Sequence, residues 1–114
     1  MKPGEIYLAD FAEAGPHPII VVSREDLNRG IYALVVLCTS TRLEIRRNLP
    51  NCVPFKAGEF GFTKDCVAQC GNLLTIEKTQ IALDKGPIGI LDEISLRDVI
   101  KAIGYVIESD CEPI

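Results

Sequence analysis

The longest unbroken apolar run in this sequence, residues 31–38, is eight residues long, and that ceiling restricts the chain to short elements that must share a core. A helix needs roughly 20 apolar residues to cross a bilayer, so the run argues against a membrane span. The opening Met1-Lys2-Pro3-Gly4-Glu5 also lacks the apolar heart of a signal peptide. We expect a cytoplasmic protein whose 114 residues form one domain, 1–114.

The short elements read mostly as strands. Glu5-Ile6-Tyr7-Leu8-Ala9 alternates, with Ile6 and Leu8 to one side. The β-branched runs Ile19-Ile20-Val21-Val22-Ser23 and Ala33-Leu34-Val35-Val36-Leu37-Cys38 look like core strands paired across the polar turn at 24–30. Before them, residues 13–18 hold one glycine and two prolines, which predicts a loop in which His17, preceding Pro18, is extended or in a turn. After Cys38 the chain turns polar. A mixed stretch with Asn48, Pro50, Asn51 and Pro54 leads to a turn at 58–61. Cys66-Val67-Ala68-Gln69-Cys70 is a further strand, ended by Gly71-Asn72, and the weaker pattern of Ile76, Ile81 and Leu83 allows a helical turn near Glu77-Lys78.

One segment follows a different period. Leu96, Val99, Ile100, Ile103, Val106 and Ile107 recur at helical spacing, so residues 95–107 should form an amphipathic helix, capped by Asp92 or Ser95. Antiparallel strands followed by one helix suit an α+β, mainly β domain built on a partly open barrel.

A net charge of −4 argues against wholesale, charge-driven nucleic-acid binding. Three of the twelve basic residues, Arg42, Arg46 and Arg47, nevertheless fall close together and mark the place for an anion. The five cysteines, Cys38, Cys52, Cys66, Cys70 and Cys111, lack paired Cys-x-x-Cys spacing. Cys66 and Cys70 share a strand face and with His17 make a conceivable metal set, but small buried hydrophobes with free thiols are the better reading.

Several strings, taken in order, resemble the MazF/PemK-like toxins of type II toxin-antitoxin pairs across nearly the whole chain. Pro3-Gly4-Glu5-Ile6-Tyr7 is similar to the family's opening strand, and Gly15-Pro16-His17-Pro18 followed by the apolar run is similar to its Gly-x-Arg-Pro segment. Val36-Leu37-Cys38-Thr39-Ser40 resembles the strand that delivers a threonine or serine. Gly61-Phe62-Thr63-Lys64-Asp65-Cys66-Val67 and Leu74-Thr75-Ile76-Glu77-Lys78 resemble its later strand and its Arg-Thr-Ile-Asp-Lys string.

The resemblance implies an SH3-like barrel of the CcdB/MazF/Kid type with a C-terminal helix. It also implies a homodimer, a cognate antitoxin, and sequence-selective cleavage of single-stranded messenger RNA without metal or other cofactor. Such cleavage, by attack of the 2′-hydroxyl on the adjacent phosphate, needs a proton acceptor, a proton donor and stabilisation of phosphate charge.

His17 stands where the family has its arginine, and an imidazole is suited to exchanging protons near neutral pH. Thr39 stands at the threonine position, where its hydroxyl can donate to a phosphate oxygen. Arg42, Arg46 and Arg47 fall in the loop beside the groove. Gln69 and Asn72 offer amides for reading bases. Gln69 and Gly71 replace an arginine and an aspartate used by some members, and Leu74 replaces the arginine of the later string, which removes phosphate-binding cations. A toxin-like module that binds protein without cleaving RNA is therefore the alternative, and a gyrase-directed toxin of the same barrel type is a third.

Overall fold

The computed structural model describes residues 1–11, 15–81 and 85–108. Six strands form one sheet: β1 (Glu5–Asp10), β2 (Pro16–Val21), β3 (Tyr32–Thr39), β4 (Cys52–Phe55), β5 (Cys66–Glu77) and β6 (Gly89–Ile90). Their spatial order is β4-β5-β3-β2-β1-β6, and every neighbouring pair is antiparallel. A four-residue helix, α1 (Leu43–Arg46), follows β3, and the long helix α2 (Glu93–Glu108) closes the described chain.

Because side chains alternate along a strand, consecutive β-branched residues fill opposite faces. Ile6, Ile20, Val36, Cys38, Ala68 and Cys70 build one core beneath Val99 and Ala102 of α2, with Phe55 and Phe62 at its side. On the reverse face Tyr7, Ala9, Ile19, Val21, Ala33, Val35 and Ile76 build a second, completed by Ile81. The curled sheet, a half-barrel with a helix on one side, is therefore apolar on both faces. Burial also pushes the Tyr7 phenol, beside Glu5, up to about 12.

The sequence expectations hold for β1, β3, α2 and the helical turn at Lys78–Gln80, and fail in instructive places. Residues 16–18 are not a loop but the start of β2, paired with β1 through Pro18↔Leu8 and His17↔Ala9. Prolines are tolerated there because β3 reaches β2 only over residues 19–21, leaving that edge without a ladder for a missing N–H to break. Glu13, Ala14, Leu83 and Cys111 lie outside the described residues.

Gly71-Asn72 does not end β5. The register jumps from Val36↔Leu73 to Leu37↔Gln69, a bulge that absorbs residues 70–72 while the strand runs on to Glu77. The polar stretch after Thr39 hides α1, and Asn48, Pro50 and Asn51 ahead of β4 and Pro54 within it mask that four-residue edge strand.

On α2, Asp92 rather than Ser95 is the cap. Its carboxylate accepts the Ser95 N–H at 2.7 Å, and that bond holds it below the usual carboxylate range. The buried stripe is narrower than the periodicity suggests: Val99 and Ala102 are buried and Leu96 and Ile103 half-buried, whereas Ile100, Val106 and Ile107 are exposed. Among the described residues no helix is long and apolar enough to cross a membrane.

The 58–65 loop is fastened against β6 by backbone contact. A Cβ on Gly61, whose φ is 89°, would lie 2.7 Å from the Ile88 carbonyl carbon, and one on Gly89 would overlap the Phe60 carbonyl. Phe62 stacks on Phe55 at 5.1 Å, and the Asp65 carboxylate accepts the Ala57 N–H at 2.8 Å.

Candidate functional site

A cleft of about 310 Å³ opens at the end of the sheet where β2 and β5 begin and β3 stops. Leu8, Pro16, His17 and Pro18 line one wall, Cys38, Thr39 and Ser40 the middle, and Phe62, Thr63, Lys64 and Cys66 the other wall.

His17 is half-buried between two prolines, on a backbone that β1 holds extended. Its ring meets Phe11 edge-on, with centroids 6.1 Å apart. β2 and β3 pair only as far as Ile19↔Leu37, and two residues beyond that point on each strand His17 and Thr39 line the cleft. Thr39 is only 6% exposed, and its Oγ1 accepts the Thr41 N–H at 3.2 Å. An accepting hydroxyl keeps its own proton to give, so this contact fixes the oxygen and leaves a donor.

The three arginines behave differently from one another. Arg46 Nη1 donates to the Thr41 carbonyl at 2.8 Å, which ties its charge to the turn that carries Thr39. Arg47 faces Glu44 at 3.6 Å, an exposed ion pair of little energetic weight. Arg42 takes a left-handed backbone at φ 53° and is exposed. They sit on and around α1, an ordered helical turn, and none lines the cleft.

Gln69 is half-buried in β5, paired with Leu37 and Cys52, and by alternation shares the face of Val67, the residue opposite Thr39. Asn72 is carried away in the bulge and does not line the cleft. Leu74, where the family has an arginine, packs against the reverse-face core beside Val35.

Sequence reasoning overlooked Lys64. Its string was visible, but nothing in the linear order shows that the 58–65 loop folds back across the sheet end to bring a cation and the Thr63 hydroxyl to the wall facing His17. The fastening described above is what brings them there.

The cysteine set divides as well. Cys38, Cys52, Cys66 and Cys70 are free and buried. Cys66 and Cys70 belong to the core under α2, whereas alternation along β2 places His17 with Ile19 on the reverse face. Among the described residues no group of three ligand-type side chains can hold a metal.

The profile of the PemK-like, MazF-like toxins of type II toxin-antitoxin systems matches residues 2–107. No curated protein matches the chain. Solved structures do. A mycobacterial endoribonuclease in complex with its cognate antitoxin superposes with TM-score 0.78 at 18% identity, covering 98% of this chain and 99% of that one. Mycobacterium tuberculosis toxin MazF-mt6 gives 0.76 at 23% identity, covering 93% and 98%. The Deinococcus radiodurans MazE-MazF structure gives 0.73 at 14% identity, covering 94% of each. These likenesses concern the fold, and the half-barrel with its C-terminal helix is theirs. With nearly its whole length matched by the family profile, the chain belongs to the PemK-like, MazF-like toxins of type II toxin-antitoxin systems.

Proposed function

We propose that this protein is an endoribonuclease that cleaves single-stranded RNA in the cleft between β1, β2, β3 and the 58–65 loop. The observation that carries the reading is that His17 and Thr39 line the same cleft, each two residues beyond the last β2–β3 pair. The neutral imidazole of His17 takes the proton of a ribose 2′-hydroxyl as its oxygen attacks the neighbouring phosphorus. The Thr39 hydroxyl and the Lys64 ammonium meet the charge that grows on the non-bridging oxygens. The bond from phosphorus to the 5′-oxygen breaks, that oxygen takes a proton from water, and the upstream fragment ends in a cyclic phosphate. Because the RNA supplies its own nucleophile, the route asks for no metal-bound water.

Lys64, on the cleft wall, takes over part of the role of the cations lost at Gln69 and Leu74, while Arg46 and Gln69 lie outside the cleft lining and would meet RNA beyond it. Asn72, in its bulge, is the least favoured of the RNA-binding candidates.

The exposed apolar residues Ile94, Ile100, Tyr105 and Ile107 of α2, with Ile31 and Tyr32 at the start of β3, support a homodimer and an antitoxin as partners. The mycobacterial endoribonuclease, solved with its own antitoxin, supports the same pairing. The loss of cations at Gln69 and Leu74 favours one rival, a module that binds protein and leaves RNA intact. Purified protein incubated with a long single-stranded RNA in chelator decides between them: discrete fragments ending in cyclic phosphate support the nuclease, and intact RNA with a folded protein refutes it.

A further inference from the structure

Beneath the cleft lies a pair of thiols for which the proposed chemistry has no use. Cys38 and Cys66 sit on neighbouring antiparallel strands, on the same face of the sheet, and both line the cleft. Cys38 pairs directly with Ala68, which puts Cys66 one diagonal step away. The neighbouring Cys38 thiol holds Cys66 below the ordinary thiol range, and Cys66, 4% exposed against 0% for Cys38, is the more exposed of the two. Cys70, on the other diagonal, is a control supplied by the fold. It belongs to the same core but does not line the cleft, and its Sγ faces the Ala68 carbonyl at 3.8 Å.

We infer that Cys38 and Cys66 form an oxidisable dithiol, with Cys66 the site of attack on hydrogen peroxide entering the cleft and Cys38 the thiol that resolves it into a disulfide. In the first step the Cys66 thiolate attacks a peroxide oxygen, the O–O bond breaks, hydroxide leaves and a sulfenic acid forms. In the second, the Cys38 sulfur attacks the Cys66 sulfur, the S–O bond breaks, and water departs with the proton Cys38 gives up. Two thiols lose two electrons, and one peroxide becomes two waters. The two thiols sit on hydrogen-bonded neighbouring strands at diagonal positions, whereas a disulfide requires about 2.05 Å between the sulfurs. Its closure draws β3 toward β5 at the residue immediately before Thr39.

The test is peptide mapping of the full protein after peroxide, with thiols blocked before digestion. Trypsin separates Cys38 on residues 30–42 from Cys66 and Cys70 on residues 65–78, Cys52 on 48–56 and Cys111 on 102–114. The expected product is a cross-link between 30–42 and 65–78, two mass units lighter than the free peptides and assigned by fragmentation to Cys66. It should persist in Cys70→Ala and vanish in Cys66→Ala. A cross-link through Cys70, Cys52 or Cys111, or Cys66 driven to sulfinic acid with Cys38 still free, overturns the inference. A second reading of the same samples rests on the proposed nuclease: RNA cleavage should fall at least tenfold on oxidation and return with dithiothreitol. An enzyme that forms the cross-link but cleaves RNA equally well refutes the control of the cleft, and a protein that never cleaves RNA leaves the mass result to stand or fall by itself.

Discussion

Gly89→Ala attacks the fastening that carries one wall of the cleft. The added methyl would overlap the Phe60 carbonyl and lie 3.1 Å from the Gly61 nitrogen, and both neighbours are backbone, which cannot swing aside as a side-chain tip can. Relief requires β6 to leave its place on β1. That releases the bond from the Ile88 N–H to the Ile6 carbonyl at 2.8 Å and the one from the Leu91 N–H to the Gly4 carbonyl at 2.9 Å. At about 1 kcal/mol net for each bond, plus partial exposure of Leu91 at roughly 25 cal/mol per Å², the loss is about 3 kcal/mol. For a chain of this size that corresponds to a fall in melting temperature of roughly 10 °C. Urea unfolding followed by circular dichroism measures it, and RNA cleavage at a temperature where the variant is still folded shows whether Thr63 and Lys64 have moved. An unfolding free energy within a few tenths of a kcal/mol of the parent would refute the account of the crossing.

His17→Ala should lower RNA cleavage by about a hundredfold or more with circular dichroism unchanged. Thr39→Ala should act in the same direction but less, and single-turnover rates measure both. Lys64→Ala should weaken RNA binding and make it less sensitive to added salt, because one phosphate-neutralising cation is lost, Lys64→Arg should restore most of both, and a filter-binding series in increasing salt measures them. Folding stability should decline at alkaline pH. Burial pushes the Cys70 thiol from 9.0 up to about 12 and contributes to a similar rise at Tyr7, so the folded state favours their protonated forms. The stability they contribute is fully present below pH 9 and is lost as pH rises toward 12, which urea midpoints from pH 8 to 12 measure, and Cys70→Ala should flatten the decline.

The elements legible in the sequence are those whose pattern is local. Alternation marks β1, β-branched runs mark β3 and the latter half of β2, and the period of residues 95–107 marks α2, since each depends on which face of one segment is buried. Pro16 and Pro18 misled because proline reports a missing N–H, while its tolerance depends on whether a neighbouring strand lies alongside. Gly71-Asn72 misled for a related reason: the same residues end a strand or bulge it, and the partner decides. At the site, His17 and Thr39 could be singled out because each sits in a recognisable string. Lys64 could not, because its place in the cleft comes from Gly61 meeting Ile88 across more than twenty residues of sequence.

The pairing of β1 with β6 joins the first of the described strands to the last. Glu5 lies against Ile90, and the Gly4 carbonyl waits for the Leu91 N–H. During synthesis, therefore, the amino-terminal strand has an open edge until residues 88–91 leave the ribosome, and the 58–65 loop has nothing to cross. Contacts of such long sequence separation are slow to form. A chain that stops short of residues 88–91 lacks both the closed sheet and the lysine wall, so RNA cleavage should arise only after those residues have been made. In a cell that makes its antitoxin alongside, this delay would open an interval for capture before the first cut.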